Sequence, residues 1–249
     1  MRALRILLIL VVIFGGLFVA ADRAAVHFAE GQVAEKIRSS QGLSSDPEVS
    51  IKGFPFLTQV LGSSLEEIEI GLGGVNATVE GRTVQVTEVK AVLKDVVIDS
   101  SFSSATAGRA DGSARISYAD LQQSAPEGVS VTYAGAERAA KGQVKLSGSL
   151  ADVTEGAGVS VPEPVKSLLD GKELSVYSTV SLVNGDTVRL KSESLPTLPI
   201  PGFESQLRGL VDYDMKIDGL PSTVKLDKVE AGEAGLRFTG TGTNVSLTG

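Results

Sequence analysis

Along most of the chain apolar and polar residues alternate one for one. Ile68, Ile70 and Leu72 are interleaved with Glu67 and Glu69, and Val84 and Val86 with Thr83, Gln85 and Thr87. Val144 and Leu146 stand against Lys145 and Ser147, and Val188 and Leu190 against Arg189 and Lys191. Leu174, Val176, Val180 and Leu182 alternate with Ser175, Tyr177, Thr179 and Ser181. The same pattern carries Val211, Tyr213, Met215 and Ile217 against Asp212, Asp214, Lys216 and Asp218, and Leu236 and Phe238 against Arg237 and Thr239. A period of two puts the apolar side chains of a segment on one face, which predicts strands. One wet and one dry face predict antiparallel sheet, because strands of a buried parallel sheet read as unbroken apolar runs. Asn184-Gly185-Asp186 lies between two such strands as a hairpin signal, and Asp111-Gly112 is read the same way.

The N-terminus follows another rule. Met1-Arg2-Ala3-Leu4-Arg5 precedes an uncharged, almost wholly apolar run from Ile6 to Ala21, the layout of a signal sequence, and Val19-Ala20-Ala21 would serve as a small-residue cleavage site. As a helix the run spans about 24 Å, short of the roughly 30 Å hydrocarbon core. Cleaved signal and retained anchor are both open, and either places the functional part outside the cytoplasmic membrane. From Asp22 to Ser40 the spacing changes to Ala25, Ala29, Val33 and Ile37, with Val26 beside them and charges between, which predicts an amphipathic helix ended by Gly42. It could lie on the sheet or continue the membrane helix as a stalk.

Other helices are few: a turn near Tyr118 to Gln123, one from Pro162 to Leu169, and one from Phe203 to Leu210. They cannot cover the dry face of about ten strands, so the sheet must curl or fold over on itself. The expectation is a mainly β chain, a β-rich α+β fold. A strongly curled antiparallel sheet would form a barrel or half-pipe, with an N-terminal amphipathic helix and a few short helices; a sandwich is the other possibility. Residues 1–21 would be signal or anchor and 22–249 a single domain, ordinary in size for an all-β chain.

Composition sharpens this. The hydrophobic share of 42% suffices for a core, but aromatics are only 5%, so Val, Leu, Ile and Ala must fill it. A curled sheet lined by such residues, with few aromatics to plug it, would tend to leave an elongated cavity. Net charge is −7, and without residues 1–5 it becomes 21 basic minus 30 acidic, or −9. Nucleic acid is an unsuitable partner, since phosphate binding needs clustered Lys and Arg, and the same deficit argues against a polybasic membrane-surface protein. A neutral or apolar ligand fits better. No cysteine is present, which removes disulfides and thiolate metal sites.

Catalytic constellations are scarce. The one histidine, His27, falls in the N-terminal helix, so a Ser-His-Asp arrangement would need a residue beside the apolar run, and His27 reads as a surface residue. Metal sites built on His or Cys fail by count. Asp212, Asp214 and Asp218 could suggest a carboxylate pair for glycoside chemistry, but alternation already accounts for them as the wet face of a strand. Gly71-Leu72-Gly73-Gly74 resembles a nucleotide loop only until Asn76, after which a strand follows; a hairpin turn is the plainer reading. No cofactor is expected.

Two stretches remain. In Val49-Ser50-Ile51-Lys52-Gly53-Phe54-Pro55-Phe56-Leu57-Thr58-Gln59, Gly53 frees the backbone and Pro55 fixes its own φ, so the chain turns while carrying two phenylalanines and a leucine. A core strand with a proline-marked end and the lip of an apolar pocket are both open. In Ser194-Leu195-Pro196-Thr197-Leu198-Pro199-Ile200-Pro201-Gly202-Phe203, three prolines rule out a central strand, leaving a cover over an opening or a plain linker.

The first stretch also carries a resemblance. Gly53 to Gln59, with Ile116-Ser117-Tyr118-Ala119-Asp120-Leu121 and Gly219-Leu220-Pro221 in order after it, resembles the actinobacterial LmeA-like family of phospholipid-binding proteins. The resemblance implies a fold related to the tubular lipid-binding proteins. It also implies a cell-envelope protein that binds phospholipid or glycolipid, linked in the family's namesake to elongation of a mannan-bearing glycolipid. With it the leading expectation is a non-enzymatic binder that holds acyl chains in an apolar groove, contacted by Phe54, Pro55, Phe56 and Leu57 at one end and by Leu195, Leu198, Ile200 and Phe203 at the other. The alternative is a membrane-tethered envelope scaffold without a cavity.

Overall fold

The apolar run and the amphipathic segment form one continuous helix, α1 (Arg2–Gln41). The structure is a computed structural model and describes residues 2–43, 45–79, 82–99, 104–125, 128–156, 171–195, 203–217 and 220–247. Gly42 ends α1 in the left-handed region at φ +62°, and the Leu43 amide bonds the Arg38 carbonyl at 3.0 Å, the closure of a Schellman motif. Residues 3–21 are exposed along their whole length, and the helix is apolar enough to cross a membrane.

After α1 come β1 (Glu48–Lys52), α2 (Phe56–Leu61), β2 (Ser64–Val79), β3 (Arg82–Ile98), β4 (Ala105–Ile116), α3 (Tyr118–Ser124), β5 (Ser130–Tyr133) and α4 (Ala136–Ala139). Then follow β6 (Gln143–Ser149), α5 (Leu150–Gly156), β7 (Glu173–Val183), β8 (Thr187–Ser192), α6 (Phe203–Val211), β9 (Tyr213–Lys216), β10 (Val224–Gly232) and β11 (Gly235–Ser246). The strands build a six-stranded sheet, β1-β2-β3-β4-β11-β10, and a five-stranded sheet, β5-β6-β7-β8-β9. Each pair with a defined register is antiparallel, for instance Ile51 opposite Ile68, Leu146 opposite Val176 and Val180 opposite Leu190.

The barrel or half-pipe is not what forms. Among the described residues there are two sheets and neither closes, which leaves β1, β10, β5 and β9 at the ends of their sheets. Alternation fixes which face is dry but not whether that face is covered by the same sheet or another, and here the strands divide. The hairpin at Asn184-Gly185 is present: both residues have positive φ, +57° and +77°, as a type I′ turn requires, and the Asp186 amide reaches the Val183 carbonyl. The other two turn readings are overturned. Gly71-Leu72-Gly73-Gly74 lies inside β2 and Asp111-Gly112 inside β4. Gly74, at φ +66°, is a local kink within a strand, not its end. Val211, read as part of a strand, is the buried last residue of α6. The helix expected at Pro162–Leu169 lies outside the described residues.

Contacts divide the chain into two compact units: Met1–Gly73 with Lys90–Asp111 and Gly242–Gly249, and Gly74–Val89 with Gly112–Thr241. Strands β2, β3, β4 and β11 pass from one to the other, with the Gly73-Gly74 and Asp111-Gly112 steps at the crossings. In the first unit Val26, Ile51, Phe56, Leu65, Ile68, Leu93, Val96 and Ala107 form the core, and α1 lays Ala25, Val26 and Ala29 against it. In the second unit the core joins residues of β5–β8 to Leu236 and Phe238 of β11, with Leu226 and Val229 of β10 packed on its margin.

Candidate functional site

The bend between β1 and α2 is built by a short run in which nearly every residue has a structural task. Gly53 stands at φ +93°, a backbone conformation that favours glycine, and a Cβ there would come within 2.5 Å of Gln59 Nε2 and 2.7 Å of Glu66 Oε2, so those side-chain ends would have to move. The Phe54-Pro55 peptide is cis. Phe56 is 6% exposed in the first unit's core, and Leu57 packs on its edge. Thr58 Oγ1 donates to the Pro55 carbonyl at 2.8 Å. Gln59 ties the bend to the next strand: its Nε2 donates to the Lys52 carbonyl at 3.3 Å and its Oε1 accepts the Glu66 amide at 2.8 Å. Val49 to Lys52 is thus a strand, as one reading had it, but Phe56 onward is helix.

Helix α2 starts after a proline and has no side-chain cap of its own. Asp22 of α1 supplies it, accepting the Leu57 amide on Oδ1 at 2.9 Å. This carboxylate is wholly buried and paired with Arg23. Burial alone would raise its pKa, but the Leu57 amide, the Arg23 guanidinium and the Phe56 amide together hold the carboxyl below its usual value. Eight residues on, Glu30 Oε1 accepts the Ile51 amide at 2.9 Å, occupying a donor on the free edge of β1. Arg23 also reaches the Gly53 carbonyl at 3.5 Å and lies 5.3 Å from the centre of the Phe54 ring. Phe54 itself is 56% exposed. Local periodicity gave no hint of these roles for Asp22, Arg23 and Glu30; the available signal was that Asp22-Arg23 is the first charged pair after the apolar run.

The second stretch sits in the other unit. Leu195 follows β8 and packs against that unit's core. Leu198 and Ile200 lie outside the described residues; Phe203 opens α6, and its side chain is outside them as well. The Ser117-to-Asp120 segment is a helix cap. Ser117 Oγ accepts the Asp120 amide at 3.1 Å and donates to Asp120 Oδ2 at 2.6 Å, and Thr87 Oγ1 donates to the same carboxylate at 2.9 Å. Tyr118 donates its hydroxyl to the Gly232 carbonyl at 2.9 Å, and burial raises its pKa.

Of the carboxylates considered for acid-base work, Asp212 and Asp214 are engaged elsewhere and Asp218 lies outside the described residues. Asp214 forms a two-bonded pair with Arg189, both contacts 2.6 Å, and that bonding lowers its pKa. Asp212 Oδ1 accepts both the amide and the hydroxyl of Ser192. His27 is exposed on α1, 3.8 Å from Glu30. Among the described residues no group of three or more His, Cys, Asp or Glu side chains is placed to hold a metal.

A family model described as LmeA-like phospholipid-binding matches residues 20–241, taking in both units and α1 from the end of the apolar run. No curated protein matches the chain, and no solved structure does.

Proposed function

Because this chain belongs to the LmeA-like phospholipid-binding family, we propose that it is a non-enzymatic protein of the cell envelope. It takes up acyl chains of a phospholipid or glycolipid and supports assembly of an envelope glycolipid of the lipomannan type. The observation that carries this reading is the family match across residues 20–241. The exposed apolar turns of α1 support export, either as a signal or as an anchor in the cytoplasmic membrane. We assign acyl contact to Pro55, Phe56 and Leu57 and to Leu195, Leu198, Ile200 and Phe203, and set Phe54, expected on the same ligand, apart from them because its ring stands exposed to solvent. At about 0.8 kcal/mol per methylene, a chain of roughly sixteen carbons represents about 12 kcal/mol of transfer from water. A lipid drawn from a bilayer is already dry, so the protein has only to match the membrane, and headgroup contacts set selectivity.

Native mass spectrometry with lipid extraction, on the full chain purified from a phospholipid-rich host, tests this. A stoichiometric phospholipid or glycolipid adduct is expected. A clean protein mass that also resists added phospholipid would overturn the reading in favour of a tethered envelope scaffold.

A further inference from the structure

Within the Gly53–Gln59 run, Phe54 keeps its ring exposed beneath the Arg23 guanidinium, and the course of α1 says where it stands. Asp22 meets Leu57, Arg23 meets Gly53 and Phe54, and Glu30 meets Ile51, so the chain from β1 to α2 descends α1 toward the apolar run. The bend is therefore the part of the first unit that touches α1 immediately where residues 3–21 begin their unbroken exposure. Leu61, at the far end of the six-residue α2 whose first turn is bound to Asp22, is 86% exposed.

An apolar helix and an exposed phenylalanine stacked under an arginine thus lie together at one end of the unit, and α2, whose first turn is bound to Asp22, carries an exposed leucine. We propose that Phe54 and Leu61 form a foot that enters the interfacial layer of a phospholipid bilayer beside the inserted α1, with Arg23 at the depth of the lipid phosphates. Aromatic rings and arginine stems suit that layer because each has an apolar body and a polar or charged end. The acidic balance of the chain, −7, makes apolar insertion and not electrostatic attraction the source of the contact, so a zwitterionic surface suffices. This inference is separate from lipid carriage: it concerns the surface on which the protein stands and not the molecule it holds.

The chain has no tryptophan, so one introduced tryptophan reports alone. Full-length F54W, L61W and D46W variants are reconstituted into phosphatidylcholine vesicles containing lipid brominated high on the acyl chain. Asp46 pairs with Arg38, about 22 Å further along α1 than Arg23, and serves as the distant site. Blue-shifted emission and at least twofold quenching are expected at 54 and 61, with neither at 46. Emission at 54 that matches 46 overturns the proposal. Full-length F54D is then weighed with its lipid: an adduct equal to that of the unmodified chain is expected, whereas loss of the adduct from a folded variant places Phe54 on the carried lipid and also overturns the foot. If the unmodified chain carries no adduct, lipid carriage fails while the quenching result at 54 still decides the foot.

Discussion

In the first unit a fully buried carboxylate and a second acidic side chain on α1 fasten a helix to a strand edge and to a six-residue helix. In the second, valines and leucines of β5–β8 meet residues of β10 and β11, and the ion pair between β8 and β9 stays at the surface. One core is fastened to α1 by polar contacts as well as apolar ones; the other joins its strands to Leu150, Val153 and Val211 of its own short helices. Polar fastening is directional and is lost all at once when a partner is removed, whereas apolar burial degrades in proportion to the area lost. The first unit is therefore the one whose stability follows the state of α1.

The strongest test of this contrast is a matched pair of core truncations. Phe56→Ala is expected to cost about 3–5 kcal/mol and Leu146→Ala about 2–5 kcal/mol. Hydrogen exchange should show protection falling in β1 and α2 for the first and in β6–β8 for the second; the same loss everywhere in both would mean a single cooperative unit. Glycine replacements come next. A Cβ on Gly235 would lie 2.0 Å from the Ile116 carbonyl oxygen, a backbone atom, whereas one on Gly53 meets the movable ends of Gln59 and Glu66. Gly53→Ala should cost about 1–2 kcal/mol, chiefly for its left-handed backbone, and Gly235→Ala more, as read from thermal melts.

Asp22→Asn keeps an acceptor for the Leu57 amide and removes the charge, so a drop in melting temperature of a few degrees is expected at neutral pH. The folded carboxyl has a lowered pKa, so its stabilisation is present above the ordinary carboxylate value of about 3.9 and is lost as pH falls through the depressed value. The gap between parent and variant should close on acidification; a constant gap would mean the charge is irrelevant. Asp214→Asn has the same sign by the same linkage, because the Arg189 bond lowers that pKa too. The pair is about half exposed, so its shift in melting temperature should be the smallest of these and should shrink further with added salt.

What could be read from the residues alone was what depends on neighbours in sequence. Strand faces such as Val144 with Leu146 and Val188 with Leu190 are buried as alternation requires, α3 and α6 lie where short helices were expected, and Asn184-Gly185 makes its hairpin. Gly71 to Gly74 and Asp111-Gly112 misled because a glycine signal marks backbone freedom, which a kinked strand crossing between units uses as readily as a turn. Helix α2 was missed because it is less than two turns long and its cap comes from residue 22, thirty-five positions earlier than the amide it accepts. The division into two sheets was hidden for a related reason: the choice of covering partner is made by residues distant in the chain. At the bend, the turn and the apolar load were both legible, but the assignment of Phe56 to the core and of Phe54 to solvent was not, because alternation stops at Pro55.

The place of Asp22 bears on how the chain is made. A peptidase cutting after Ala21 would leave the new terminal ammonium on the very residue whose carboxylate is buried against Leu57, in the middle of a continuous helix. The amides of the next turn would lose their helical carbonyl partners at that cut. Such a cut would therefore have to come before α1 settles onto β1 and α2, because in the folded unit the bond lies within a continuous helix.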